Sequence, residues 1–460
     1  MCNLYSITTK EEGIALRAAG WRPPFLYGRH VPQQFAIHAG WRHLKADGDL
    51  LSAAYYQNIG RLLEQGRFDL LFIADILAIP DTLGGSLDSQ IRYGALGALR
   101  LDPLVVLSII AGATKHLRLG ATISTTYAQP YALARALAML DHLSGGRAAW
   151  NIVTSFQEAE ARNFGLTEQL SREGRYERAD EFSGGHDQAV EFVGGWCAGP
   201  GSPDAAVRRP GAGAPNRSFR QMVHVQGPLN VSRPPQGRPV FVQAGASDRG
   251  RDFAARWAEI IFVTPGLVDV AVEFRNNQHA RAVRFGRDPD TIKVLPGIVP
   301  VIADTDRQAK ALHDQLHELS HPESGLSTLS YHLGVDLSRF PQDQVLPENL
   351  DVPGVEGHYR EVAELTRRSG LSLAELGQRY GAGRTTSGFA GTPSTVADRM
   401  QEWFEAGACD GFMLQVPCLP GGLQELVHGL VPELQHRGLF RTEYDGSSLR
   451  DSLGLPRPAG

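Results

Sequence analysis

The segment QAGASDRG, residues 243–250, combines features with which a helix binds an anion. An apolar strand ends at Ala244, Gly245 permits close approach of the backbone, and Ser247 stands where a helix N-cap belongs. The N–H groups and the dipole at such a helix start favour a phosphate or a carboxylate. The same pattern is also typical of a capped helix that binds nothing, and the residues alone leave both interpretations open.

One polar side chain, Asn151, interrupts the apolar run from Ala148 to Val153. Such a run predicts a strand that is buried on both faces, so the amide is expected in the protein interior. A buried amide without hydrogen-bond partners costs about 2 kcal/mol. Asn151 therefore either braces a loop or faces a ligand.

Polar residues also follow two other predicted strands. Asp75 ends the strand LLFIA, and a run of hydroxyl residues from Thr122 to Thr126 follows LRLGA. Asp75 either caps the next helix or contacts a ligand, and the hydroxyls either end a strand or line a site. In a parallel barrel both positions fall on the rim where ligands bind.

The composition is that of an ordinary globular protein. The chain has 460 residues, 42% of them hydrophobic, and a net charge of −5. There is no basic excess that would favour nucleic acid, no apolar run near about 20 residues, and no leader-like start, so we expect a cytoplasmic protein without a membrane partner. Its four cysteines form no C-x-x-C pair, which predicts free thiols and no metal site.

Strand and helix patterns alternate along most of the chain. The predicted strands cover 70–74, 117–124, 148–153, 239–244, 260–263, 293–303 and 411–416, and the predicted helices include 131–143, 247–257, 305–319 and 393–406. Gly145 and Gly146 are expected to end the helix before Ala148. Repeated β-then-α units favour a closed (β/α)8 TIM-like barrel with insertions. A doubly wound sheet is the alternative, but no G-x-G-x-x-G follows any predicted strand.

Two internal segments depart from this alternation. Residues 183–222 are rich in Gly, Pro, Ala and Arg and show little periodicity, which is unusual within a barrel. Residues 320–390 contain helical patches at 359–369 and 372–380 without strands, and are predicted to be a mainly helical insertion.

Several motifs resemble those of the bacterial-luciferase-like flavin-dependent monooxygenases. They are FDLLFIAD (68–75), LGATISTTYAQPYALAR (119–135), LDHLSGGRAAWNIVTS (140–155), EARNFG (160–165), GRYERADEF (174–182), QAGASDRG (243–250), GLSTLSYH (325–332) and GTPSTVADRM (391–400). More narrowly, the chain is similar to the branch that contains nitrilotriacetate monooxygenase component A, pristinamycin synthase and dibenzothiophene-sulfone monooxygenase. The resemblance predicts a luciferase-like barrel over residues 25–457.

The resemblance implies a two-component enzyme. A separate NAD(P)H:flavin reductase would supply reduced FMN (FMNH2), and one atom of O2 would enter a small organic substrate, xenobiotic or organosulfur. A homo-oligomer is also expected. Two alternatives remain open: a flavin- or deazaflavin-dependent oxidoreductase that transfers hydride on the same barrel, and a degenerate barrel without catalysis.

The resemblance also assigns residues. The cofactor-binding candidates are Asp75, one of Thr122, Ser124 and Thr125, and further Asn151, Arg172, Tyr176, Ser247 and Gly250. The substrate-side candidates are His38, Phe72, Phe262 and His332. The chain departs from the family pattern at Arg172 and Ala36, where relatives carry histidines. Arginine still pairs with phosphate but does not titrate near pH 7.

Residues 1–24 do not fit the family and are predicted to be an atypical extension. Their start, MCNLYSITT, resembles the opening of SOS-response-associated peptidases, in which the cysteine after the initiator methionine is a nucleophile. The likeness ends within about ten residues. A cysteine without a neighbouring base is not a catalytic arrangement, so we do not expect that activity.

Overall fold

Eight parallel strands form a closed barrel at the centre of the protein. The computed structural model describes residues 25–28, 40–46, 48–93, 99–191, 218–219, 224–225, 229–245, 247–347, 350–354, 356–381 and 388–458. The barrel strands are β1 (Phe25–Gly28), β2 (Leu70–Ile73), β3 (Arg118–Ser124), β4 (Ala148–Val153), β5 (Val240–Gln243), β6 (Ile260–Val263), β7 (Lys293–Ile298) and β8 (Phe412–Leu414). Each strand pairs with the next, and β8 pairs with β1. This closure confirms the predicted barrel and excludes the doubly wound sheet.

Helices surround the barrel and extend beyond it. They are α1 (Ala53–Gln65), α2 (Asp88–Tyr93), α3 (Pro103–Ala111), α4 (Pro130–Ser144), α5 (Glu158–Asn163), α6 (Arg172–Glu191), α7 (Asp248–Trp257), α8 (Val268–Arg284), α9 (Asp306–Glu318), α10 (Pro322–Leu333), α11 (Glu356–Ser369), α12 (Leu373–Gly381), α13 (Pro393–Glu405), α14 (Gly421–Glu425), α15 (Val431–His436) and α16 (Leu449–Leu453). Short 3-10 turns cover Gly40–Arg42, Pro289–Thr291 and Leu337–Arg339, and a π-helical turn covers Leu426–Leu430.

The turn from α4 into β4 forms as the glycine pattern predicts. Gly145 adopts the left-handed conformation with φ 71°, and its N–H bonds to the last carbonyls of α4. In β4 the side chain of Trp150 points outward and packs on Phe182 and Phe241, beneath α6. Successive side chains of a strand alternate between faces, so Asn151 points into the barrel lumen.

The barrel lumen is filled by apolar side chains over its lower part. Leu70, Phe72, Val242 and Leu295 belong to this cluster. Leu449 and Leu453 of α16 join the same cluster, so α16 closes the amino-terminal end of the barrel. Ligands therefore enter from the carboxyl-terminal end, as in other barrels of this kind.

Two predicted elements are wrong in detail. The strand predicted over 293–303 is two strands, because the chain leaves the barrel after Ile298 and Val301–Ile302 pairs instead with Ala390–Gly391. Pro300, between them, has no N–H to donate to a ladder. The segment predicted to be irregular from Ser183 begins as helix, since α6 continues to Glu191.

The described residues between 320 and 390 are mainly helical. Helices α10, α11 and α12 share a core of their own, which includes Leu329, Leu333 and Leu376. Glycines permit close contact between α10 and α12: a Cβ on Gly325 would lie 1.8 Å from the carbonyl oxygen of Gly377. Residues 1–24 and 192–217 lie outside the described residues.

None of the described helices combines the length and the apolar character needed to cross a membrane.

Candidate active site

A cavity of about 200 Å3 opens at the carboxyl-terminal ends of β4 and β5. We call it the rim cavity. It is lined by Asp75, Ser155, Glu160, Arg172, Arg175, Tyr176, Gln243, Gly245, Ser247 and Tyr331, among others. Four predicted cofactor ligands, Asp75, Arg172, Tyr176 and Ser247, thus meet in one cavity although 172 residues separate the first from the last.

The start of α7 forms one wall of the rim cavity. Ser247 is the N-cap, and its Oγ accepts a hydrogen bond of 3.2 Å from the N–H of Gly250. Two glycines allow the backbone and Tyr176 to approach each other closely in this wall. A Cβ on Gly245 would lie 2.6 Å from the carbonyl of Gly250, and a Cβ on Gly250 would lie 2.8 Å from the Tyr176 hydroxyl. The helix dipole and these closely approached backbone groups suit an anionic ligand.

Three side chains of α6 face the same cavity. The Tyr176 hydroxyl is hydrogen-bonded to Ser247, and burial raises the pKa of Tyr176. Arg175 donates to the Leu170 carbonyl at 2.6 Å, while its buried Nε has no hydrogen-bond partner among the described residues. Arg172 donates to the carbonyls of Val352 and Gly354 at 3.1 and 3.0 Å. Two guanidinium groups and two hydroxyls therefore surround the helix start.

Asp75 lines the rim cavity just after β2. Burial raises the pKa of Asp75 to about 6, although Arg100 and the N–H of Ile76, which donates at 2.8 Å, both act to lower it. Arg100 itself donates to the carbonyl of Ala74 at 3.0 Å. Asp75 therefore changes charge close to neutral pH, unlike an exposed aspartate.

The raised pKa of Asp75 predicts a pH-dependent stability difference. The folded state holds the proton more tightly than the unfolded chain, so wild-type stability falls as pH rises from about 4 through 6. A rise of the pKa from 3.8 to about 6 corresponds to about 3 kcal/mol above pH 6. We expect Asp75→Asn to unfold at higher urea concentration than wild type at pH 8 and at the same concentration at pH 4. A difference that does not vary with pH would contradict this assignment.

A second cavity, of about 320 Å3, adjoins the rim cavity. We call it the side cavity. The two share a wall of four residues: Asp75, Val153, Ser155 and Glu160. Thr122 and Ser124 also line the side cavity, together with apolar residues of α3 and α4. Ser155 has φ 46°, a conformation rare outside glycine, and such strain is characteristic of functional sites.

Glu160 holds this shared wall together. Its carboxylate accepts from the N–H of Leu77 at 3.0 Å, from the backbone N–H groups of Phe156 and Gln157, and from the Ser155 hydroxyl. Burial nevertheless raises the pKa of Glu160. One buried carboxylate thus ties the loop after β2 to the loop after β4.

Other candidates take different positions. Asn151 Nδ2 donates to Thr122 Oγ1 at 2.9 Å, and its buried Oδ1 has no partner among the described residues. Thr125 is fully buried and its hydroxyl bonds to the Val153 carbonyl at 3.3 Å, so it braces the two strands and lines neither cavity. Thr122 and Ser124 are therefore the better candidates of the three.

The four substrate-side candidates do not lie together in one cavity among the described residues. Phe72 and Phe262 pack against each other in the lumen, with ring centroids 5.3 Å apart and the rings tilted by 37°. His332 Nδ1 lies 2.6 Å from the Tyr380 hydroxyl, so it joins α10 to α12, whereas its neighbour Tyr331 lines the rim cavity. His38 lies outside the described residues.

Several polar residues that line the rim cavity were not predicted, and four of them stand out: Ser155, Glu160, Arg175 and Gln243. All four fall within or beside the motifs quoted above, but nothing in their spacing distinguishes them from surface polar residues. Gln243 Oε1 is buried without a partner among the described residues, a second orphaned polar atom in this cavity.

The fold and the site together define a parallel βα-barrel whose rim cavity, at the carboxyl ends of the strands, has a lining that suits an anionic ligand. The family model described as luciferase-like monooxygenase matches residues 34–410. The chain is 43% identical over 436 residues to dibenzothiophene-sulfone monooxygenase from Rhodococcus erythropolis, covering 92% of this chain and 94% of that protein. It is 38% identical to nitrilotriacetate monooxygenase component A from Aminobacter aminovorans, covering 92% and 94%.

The fold is also similar to that of a protein of known structure. The crystal structure of a riboflavin lyase with modified FMN and riboflavin superimposes with a TM-score of 0.85 at 28% identity, covering 95% of this chain and 97% of the other. The chain belongs to the luciferase-like monooxygenase family, and it is a flavin-dependent monooxygenase.

Proposed function

We propose that the protein is the oxygenating component of a two-component system, which binds the phosphate of reduced FMN in the rim cavity and oxygenates a small organosulfur or xenobiotic compound. The observation that carries this proposal is the wall of the rim cavity, where the start of α7 meets Tyr176, Arg172 and Arg175. A phosphate monoester satisfies a helix N-terminus, two hydroxyls and two guanidinium groups together.

The residues present fit FMN. Ser247, Tyr176, Arg172 and Arg175 would hold the phosphate, and the glycine at 250 leaves room beside the Tyr176 hydroxyl. The orphaned Arg175 Nε and Gln243 Oε1 offer a donor and an acceptor that a phosphate and a ribityl hydroxyl would satisfy. Asp75, Asn151 and either Thr122 or Ser124 would contact the ring system.

Reduced FMN supplies the electrons with which one atom of O2 enters the substrate and the other leaves as water. The protein's own part is to bind, to orient and to exclude water. Phe72 and Phe262 give the lumen an apolar surface, and Asp75 would hold or release a proton near pH 6. The names of the relatives, one acting on a sulfone and one called component A, support the substrate class and a separate NAD(P)H:flavin reductase.

One experiment separates the proposed activity from its alternatives. The purified protein is titrated anaerobically with photoreduced FMN and then mixed with 18O2 and a sulfone such as dibenzothiophene sulfone. We expect FMN binding and one 18O atom in the organic product. Tight binding of a reduced deazaflavin with no 18O transfer would favour the hydride-transferring oxidoreductase. Absence of flavin binding would favour a barrel without catalysis.

The phosphate assignment predicts a ligand-specific loss of affinity. Tyr176→Phe combined with Ser247→Ala removes two hydroxyls, and hydrogen bonds to a charged group contribute about 1.5–3 kcal/mol each. We expect FMN affinity to fall at least about tenfold, and riboflavin affinity, which involves no phosphate, to remain within about twofold. Gly250→Ala should act in the same way, because its methyl group would displace the Tyr176 hydroxyl.

The readout is a fluorescence titration of each variant with FMN and with riboflavin. Equal losses for both flavins would place the phosphate elsewhere.

A further inference from the structure

The amino-terminal end of the barrel contains a strongly basic cavity far from the rim. This lower cavity has a volume of about 290 Å3 and lies where the chain enters β5, β6 and β7, beside the tail that follows α16. Two carboxylates line it, Glu259 and Asp288. Five positively charged side chains also line it: Arg233, Arg238, Arg287, Arg450 and Arg457. Arg457 also pairs with Asp451 at 3.7 Å. Among the described residues, five cations against three carboxylates leave an excess of two positive charges at this cavity.

Part of this excess is buried. Glu259 is bonded to both Arg238, at 3.0 Å, and Arg450, at 3.1 Å. The exposed fractions of the three side chains are 6%, 16% and 0%. Burial alone would raise the pKa of Glu259, but the two arginines outweigh it and lower the pKa to about 2. One carboxylate is therefore shared by two buried cations, and a net positive charge remains where desolvation makes it costly.

Backbone carbonyls hold two of the other three arginines at the same cavity. Arg233 donates to the carbonyl of Pro458 at 2.8 Å, and Arg287 donates to the carbonyl of Ala255 at 2.9 Å. Each carbonyl partner fixes the direction of the guanidinium group that donates to it. These bonds pre-organise two planar guanidinium groups, each of which can donate two parallel hydrogen bonds to phosphate oxygens.

We propose that the lower cavity binds a compact anion that carries two or more negative charges, of the inorganic phosphate and pyrophosphate class. Such an anion offsets the positive charge excess and is small enough for the cavity. The bound anion would join the loops before β5 and β7 to the tail after α16, since Arg233 and Pro458 both line the site. Binding would therefore stabilise the closed end of the barrel.

The test uses isothermal titration of the full chain with inorganic pyrophosphate at constant ionic strength. We expect saturable binding that weakens at least about tenfold in R233Q/R287Q. Arg339→Gln serves as the matched control, because Arg339 is 79% exposed and pairs with Asp336 far from the cavity. Its affinity should equal that of wild type.

The rim cavity also attracts phosphate groups, so Ser247→Ala is titrated in parallel. Pyrophosphate binding that survives S247A and is lost in R233Q/R287Q supports the proposal. Binding lost in S247A and unchanged in R233Q/R287Q would place the anion at the rim and overturn it, as would absence of saturable binding in wild type.

Circular dichroism checks that each variant is folded. If R233Q/R287Q fails to fold, Arg457→Gln replaces it, because the Arg457 side chain is 60% exposed and its loss leaves the buried Glu259 group intact. Unchanged pyrophosphate affinity in R457Q together with a lower thermal midpoint would assign the cluster a structural role only and would overturn the proposal.

Discussion

Replacement of Asp410 by asparagine is expected to lower the free energy of unfolding by about 3–5 kcal/mol. Asp410 lies just before β8 and forms a two-pronged ion pair with Arg275 of α8, with a shortest distance of 2.7 Å. The side chains are 7% and 4% exposed. Its Oδ2 also accepts from the N–H of Val294 in β7 at 2.8 Å. Burial alone would raise the pKa of Asp410, but Arg275 lowers it, so the carboxylate is charged in the folded state.

The asparagine keeps the shape of the side chain and removes its charge. Arg275 then stays buried without a carboxylate, and the effect measured is electrostatic, not that of a cavity. Urea unfolding followed by tryptophan fluorescence gives the free energy, with the slope used to check that the transition stays two-state.

Asp398→Asn is the matched control for this substitution. Asp398 pairs with Arg437 at 2.6 Å but is 70% exposed, and an exposed ion pair contributes at most about 1 kcal/mol. Equal effects of the two substitutions would show that burial does not decide the strength of the Arg275–Asp410 pair.

Glu160→Ala is expected to weaken both the fold and flavin binding. The substitution leaves the N–H groups of Leu77, Phe156 and Gln157 without their acceptor. Buried groups deprived of a partner cost about 1–3 kcal/mol each where water does not replace it, so we expect a loss of about 3 kcal/mol in stability. The loops after β2 and β4 carry Asp75 and Ser155, and both loops lose the bond that joins them. FMN affinity should fall at least about tenfold.

Two variants make this result interpretable. Glu158→Ala removes an exposed carboxylate from the same turn of α5, one that accepts from the backbone N–H of Gln169 at 3.1 Å. It should change stability by less than about 1 kcal/mol. Glu160→Gln keeps one carbonyl oxygen and should fall between wild type and E160A in FMN affinity. If E160A binds FMN as wild type does while losing stability, Glu160 has no role in positioning the flavin site.

The sequence predicts the barrel well because each local signal agrees with the global fold. Gly145 ends α4 where a left-handed residue is required, and Ser247 caps α7 as its position after Ala244 indicates. The strand at 260–263 coincides with the prediction because its continuous apolar run is typical of a barrel strand, and Ile260 and Ile261 are buried. These features depend on neighbours within a few residues of the chain.

What the sequence does not predict depends on residues that meet only in the fold. Glu160 can join two loops only because the fold brings Leu77 beside it. The Arg175 Nε, which has no hydrogen-bond partner among the described residues, suggests an anion site only because the fold places it beside the start of α7. His332 matches a family position, yet its partner Tyr380 lies 48 residues later in the chain. The predicted strand over 293–303 is divided because Val301 finds its partner at Ala390.

The pairing of β1 with β8 has a consequence for how the chain reaches this structure. Phe25 aligns with Phe412, so nearly the whole sequence between them must be brought together before the last two edges of the sheet are joined. Until then, two strand edges remain exposed to other molecules. Loop-closure entropy makes such distant pairing slow, and the lumen residues that contact Leu449 and Leu453 stay uncovered for the longest time. During synthesis, the barrel therefore closes only after β8 has been made, and its lumen is covered only after α16 has been made.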